Sequence, residues 1–140
     1  MPRISELFFK TAIIFFLLGI AIGIKMGISG DHGAFPAHAH FNLLGWVTSA
    51  IFGGYYALNP AKAEKRLAMI HYGLYTLGLV VMLPPLYLKY AYAMDAVEPI
   101  LGIGSLIVAA GVLVFAVVVF SPAQSVRSPR QPPRVKSGHS

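Results

Sequence analysis

Two histidines, His38 and His40, stand near the start of the run FPAHAHFNLLGWVTSAIFGGYYALNP, Phe35 to Pro60. The run is otherwise apolar or small and is long enough to cross a bilayer as a helix. Imidazole in hydrocarbon is costly unless a metal or a hydrogen-bond partner satisfies it. The pair therefore points to a held cofactor, haem first, or to two rings bonded to backbone carbonyls at a helix start. At about 100° per residue, helix positions two apart point about 200° apart. A regular helix cannot turn both imidazoles onto one iron, so His38 and His40 serve two different neighbours. The His38 face continues with Asn42, Gly45 and Ser49, positions that leave room for a flat macrocycle or a close helix. The His40 face continues with Leu44, Val47 and Ile51.

The elements that must position these residues are membrane helices. Of the 140 residues 56% are hydrophobic and only 11% charged, with a mean hydropathy of +0.69, values outside the range of soluble domains. The chain has no cysteine. Disulfides, thiolate metal sites and covalent haem attachment through C-x-x-C-H are thereby excluded. Any haem must therefore be held non-covalently, by histidine or methionine and by packing. The net charge of +6 is not a nucleic-acid signature, because four of the eleven Lys and Arg lie in the last fourteen residues and most others flank apolar runs.

The expected fold is all-α: a polytopic membrane protein with one domain, 1–120, and four transmembrane helices at about 7–28, 37–58, 67–88 and 97–120. The basic tail, 121–140, is rich in Pro, Ser and Arg and is expected to be disordered. The first apolar run is long and lacks a convincing cleavage site, so it is read as a retained helix. Gly19, Gly23 and Gly27 make a small-residue stripe along it, suited to close packing. Pro36 suits the first turn of the second helix, and Asn59-Pro60 ends it. Pro84-Pro85 should kink or loosen the far end of the third. Tyr87, Lys89, Tyr90 and Tyr92 read as an interfacial belt. Positive charge collects at the N-terminus, in the second loop (Lys62, Lys65, Arg66) and in the tail, whereas the first and third loops carry Asp31, Asp95 and Glu98. The positive-inside rule then puts both termini on the cytoplasmic side of a bacterial inner membrane, with His38 and His40 towards the outer side.

The second run resembles the haem-bearing helices of the catalytic subunit of haem-copper oxidases and nitric oxide reductases. Ala37-His38-Ala39-His40 matches that family's A-H-x-H pattern, Gly53-Gly54 matches its later glycine pair, and Asn42-Leu43-Leu44-Gly45-Trp46 is similar to the cbb3-type and nitric-oxide-reductase branches. The resemblance covers this one helix. The family subunit has twelve spans in three four-helix arcs, with the haem helices second in their arcs. The resemblance therefore implies that this chain is one arc, rebuilding a twelve-helix ring as a homotrimer. It implies haem b ligated by His38 of one protomer and His40 of a neighbour, Asn42 and Gly45 beside the macrocycle, and electron transfer. A redox partner or quinone would then be the exchange partner, with the lipid bilayer as surroundings.

The chain also departs from the family. The family's copper site needs three further histidines, and only His71 lies in another span here. Terminal oxidase activity is therefore not expected. His71-x-x-x-Tyr75 echoes the family's copper-ligand spacing, but His71 sits near the opposite side of the membrane. It is expected to hydrogen-bond to a tyrosine or the backbone, with a metal or second-cofactor role as the alternative. The family's paired arginines have no counterpart, so haem propionates would fall to Lys25, Lys89 and Tyr90. Two other function classes compete. One is a haem protein with an open coordination position, binding oxygen or nitric oxide. The other is copper or zinc handling by His32, His38 and His40.

Overall fold

The computed structural model describes residues 1–122. The tail expected to be disordered lies, from residue 123 on, outside the described residues. Helix α1 spans Arg3–Ser29. The next helical stretch has three parts without a break: α2, Phe35–His40; a π-helical segment, Phe41–Thr48; and α3, Ser49–Leu58. A short α4, Pro60–Ala63, leads to α5, Arg66–Tyr92; a 3-10 turn, Asp95–Val97, leads to α6, Glu98–Phe120. Helix α1, helix α5 and the stretch Asp95–Phe120 are each long and apolar enough to cross a membrane, the pattern of a multi-pass membrane protein. The second stretch does not count among those three helices, because the π segment divides it.

Local sequence explains most of these bounds. Gly30 closes α1 with φ at +67° and donates its N–H to Met26 O at 3.0 Å, a left-handed cap that glycine adopts without a Cβ penalty. Pro36 occupies the first turn of α2, where a missing N–H costs nothing. Helix α5 differs from expectation: it runs through Pro84 and Pro85 to Tyr92. Leu83 and Leu86, on either side of the pair, are buried. Packing holds the helix together there despite the lost N–H donors, as in other membrane helices.

The helices pack as two hairpins. In one, α1 lies along the π segment and α3; in the other, α5 lies along α6. Glycines set the closeness of the second pair. A Cβ on Gly78 would stand 2.6 Å from Val108 N, one on Gly104 2.6 Å from Met82 N, and one on Gly111 2.9 Å from Tyr75 Cα. Helix α5 also packs on α2, and its central position joins the hairpins.

The two ends of the bundle differ in charge. Lys62 Nζ donates to Val119 O at 2.8 Å and Lys65 Nζ to Pro122 O at 3.4 Å. A cleft there is shared by Arg3, Ile4 and residues of the 60–69 turn. This end gathers Arg3, Lys62, Lys65 and Arg66. At the other end Lys25 meets Tyr87 and Tyr92, and Lys89 pairs with Glu98 at 2.9 Å. Asp31 and Asp95 share that second end, so the acids expected in the first and third loops do lie together.

Candidate functional site

His38 lies half-buried against α1. Its Nδ1 is 2.9 Å from Gly19 O. A carbonyl oxygen only accepts, so Nδ1 must carry the proton and donate. Gly23, one turn further along α1, makes this approach possible. A helical Cβ tilts towards the helix N-terminus, and one at residue 23 would stand 2.8 Å from His38 Cε1. Asn42 fills the neighbouring notch: a Cβ on Gly19 would meet its amide at 2.7 Å. The Asn42 amide donates to His38 O at 2.8 Å. Two members of the glycine stripe are thus seats for side chains of the second helix, while Gly27 faces nothing within 4 Å.

The rest of the His38 face also packs within the chain. A Cβ on Gly45 would overlap Phe15, and Ser49 is fully buried. The room that Gly45 makes is taken by α1, so neither Asn42 nor Gly45 opens onto a space for a macrocycle inside one chain.

His40 points the other way and is exposed. Its Nδ1 lies 2.8 Å from Pro36 O, one turn back on the same helix, so here too Nδ1 donates. Leu43 and Ile51 are exposed on the same side of the helix. Both histidines therefore satisfy the carbonyl-bonded reading with Nδ1 alone. In each neutral ring the lone pair is left on Nε2, the tautomer of a metal-ligating histidine whose second nitrogen is oriented by a backbone carbonyl. Neither Nε2 is among the sealed, unpartnered polar atoms of the described residues.

Immediately after His40 the helix widens into the π segment. Tyr75 reaches across from α5 and its hydroxyl donates to Leu44 O at 2.9 Å. Thr48 Oγ1 donates to Leu43 O at 2.7 Å. Side chains thus take carbonyls of the altered turns. Wide turns of this kind recur at functional sites. Nothing in the periodicity of the sequence announces the segment; Gly45, a poor helix former in mid-helix, is the one local signal.

His71 is far more enclosed, at 0% exposure. Its Nδ1 is 2.9 Å from Tyr56 Oη, the tyrosine partner expected for it. Phe52, Phe8 and Phe115 surround the ring with centroids 4.6, 5.0 and 5.0 Å away. Its Nε2 is sealed and has no partner. Among the described residues no three of His, Asp and Glu gather to hold an ion, at His71 or elsewhere. The loose cluster of His32, His38 and His40 does not close into a metal site within one chain either, and His32 Nδ1 bonds Gly30 O at 2.9 Å in the exposed loop.

The cations expected for propionates have side-chain partners within the chain. Lys25 Nζ donates to Tyr87 Oη at 2.7 Å and to Tyr92 Oη at 3.3 Å. Lys89 is paired with Glu98, and Tyr90 is exposed. No protein-family model matches the chain, and no curated protein or solved structure matches it at a significant level.

Proposed function

We propose that this protein crosses a bacterial inner membrane four times, with both termini cytoplasmic, and binds haem b through Nε2 of His38 and His40. The observation that carries this reading is the matched tautomer of the two rings. Each holds its Nδ1 proton on a backbone carbonyl and leaves its lone pair on Nε2, at one depth and on opposite faces of one helix. Gly19 O fixes the first ring; Pro36 O fixes the second.

The fourth crossing is the stretch Phe35–Leu58, counted as a single path through its π segment. The basic end gathers at the N-terminus, the 60–66 turn and the end of α6, which supports a cytoplasmic placement of that end.

Opposite faces require two neighbours. His38 is seated on its own α1, whereas His40 projects from an uncovered side. Ligation of one iron by His38 of one protomer and His40 of the next would use both rings, and a cyclic homo-oligomer would repeat that pairing; three copies is the number that the resemblance to one arc of a twelve-helix subunit implies. His38 and His40 would hold the group, and a haem held by two imidazoles would supply one-electron transfer rather than substrate chemistry. The chain's own residues orient the imidazoles and exclude water with an apolar face.

Absorption spectra of the protein purified in detergent, with haem content and particle mass, test this. Sharp reduced alpha bands, no shift with carbon monoxide and a trimer mass are expected. A carbon monoxide shift would move the reading to an open-site gas-binding protein carried by the more exposed His40. Absence of haem from protein made under haem-sufficient conditions would overturn the reading.

A further inference from the structure

We propose that the groove between α1 and α5 is a binding site for a phospholipid, with an acyl chain along the groove and the phosphate on Lys25. The groove has a volume of about 410 Å³ and almost purely apolar walls. Helix α1 supplies Leu18, Ala21 and Ile22, α5 supplies Pro84 and Tyr87, and Phe41 also lines it. Lys25 follows Ala21 by one helical turn, at the end of the bundle where the tyrosine belt lies.

Charge complementarity selects the occupant. Among the described residues the ion pairs are Lys10 with Glu6 and Lys89 with Glu98; Lys25 has no carboxylate partner. Its ammonium donates to two hydroxyls, those of Tyr87 and Tyr92, and lies 5.4 and 5.2 Å from their ring centroids. Tyr87 belongs to both parts: its ring lines the groove and its hydroxyl holds the cation. The titratable group facing this head region is Asp31, in a small notch beside Lys25 and Tyr87. Its Oδ1 accepts the Gly33 N–H at 2.9 Å, so the carboxylate is turned to the loop. An apolar channel capped by an unneutralised cation and hydroxyl donors matches a phosphodiester with a hydrocarbon chain. The groove lies between two helices that are each long and apolar enough to cross a membrane.

This inference does not depend on haem, and its test reads lipid directly. The delipidated full-length protein is mixed with phosphatidylglycerol or with a diacylglycerol of the same chains, and bound lipid is counted by native mass spectrometry. One phosphatidylglycerol per chain is expected, with the diacylglycerol bound weakly. Lys25→Gln should weaken phosphatidylglycerol roughly ten-fold, the loss of one charge-assisted contact. Ala21→Phe, at an exposed position, should block the groove without disturbing the helical circular dichroism. Lys10→Gln, at the other end of α1, should change nothing. Equal binding of the two lipids, or unchanged binding in Lys25→Gln, would overturn the proposal. So would a Lys25→Gln protein that keeps its lipid but loses haem absorbance, since the cation would then serve a propionate.

Discussion

His40 and His71 are the same residue type in one bundle, yet they have opposite surroundings. His40 shows one face to the outside and bonds only its own helix, through Nδ1 to Pro36 O. His71 is enclosed by rings from α1, α3 and α6 and bonds Tyr56. Burial ties a histidine to the stability of the fold; a free lone pair at the surface leaves it available to a ligand. The contrast separates an imidazole used by the core from one whose Nε2 stays accessible, without reference to their positions in the chain.

The largest effect on stability is expected from His71→Ala. It leaves a cavity in the aromatic core and strips Tyr56 of its partner, at a cost of about 3 kcal/mol. Unfolding in detergent, followed by circular dichroism, measures it. Replacing both partners, His71→Phe with Tyr56→Phe, should recover most of that loss, because no buried polar group is then left unpaired. If His71→Ala were as stable as the native chain and lacked haem, the assignments of His71 and His40 would have to be exchanged.

Next come the glycine seats. Gly19→Ala and Gly23→Ala push a Cβ into Asn42 and His38, and each should cost about 1–3 kcal/mol. Gly27→Ala, with open space around it, should stay within about 0.5 kcal/mol. Equal stability of all three variants would show that the stripe does not seat His38. Tyr75→Phe ranks lower. It removes one hydrogen bond to Leu44 O and should cost about 1 kcal/mol, with faster amide exchange in the π segment as the local sign.

Much of this arrangement was legible in the sequence because it depends on local pattern. The apolar runs and their charged flanks located the long helices, and Asn59-Pro60 located the end of the second stretch. The two-residue spacing of His38 and His40 fixed their opposite directions, since that pair lies in α2, before the helix widens. Other features depend on tertiary contact and leave little local trace. Pro84-Pro85 read as a weak end, but burial of Leu83 and Leu86 carries the helix past it. The space beside Gly45 read as room for a macrocycle or a close helix; Phe15 of α1, thirty residues earlier in the chain, fills it, and the choice between the two depended on that contact. The π segment takes its shape partly from Tyr75, which donates from another helix. The engagement of Lys25 and Lys89 could not be read from the sequence either, because their partners are set by how the loops fold back.

The smallest effect on stability and the most direct test fall on the same residue. His40 is exposed in the single chain, so in the haem-free protein His40→Ala should leave unfolding within about 0.5 kcal/mol of the native sequence. The measurement is the reduced-minus-oxidised spectrum of native and His40→Ala proteins, purified side by side with haem quantified per chain. The account predicts a six-coordinate low-spin spectrum in the native protein and its loss in the folded variant. A folded His40→Ala protein with full haem content and an unchanged spectrum would contradict it.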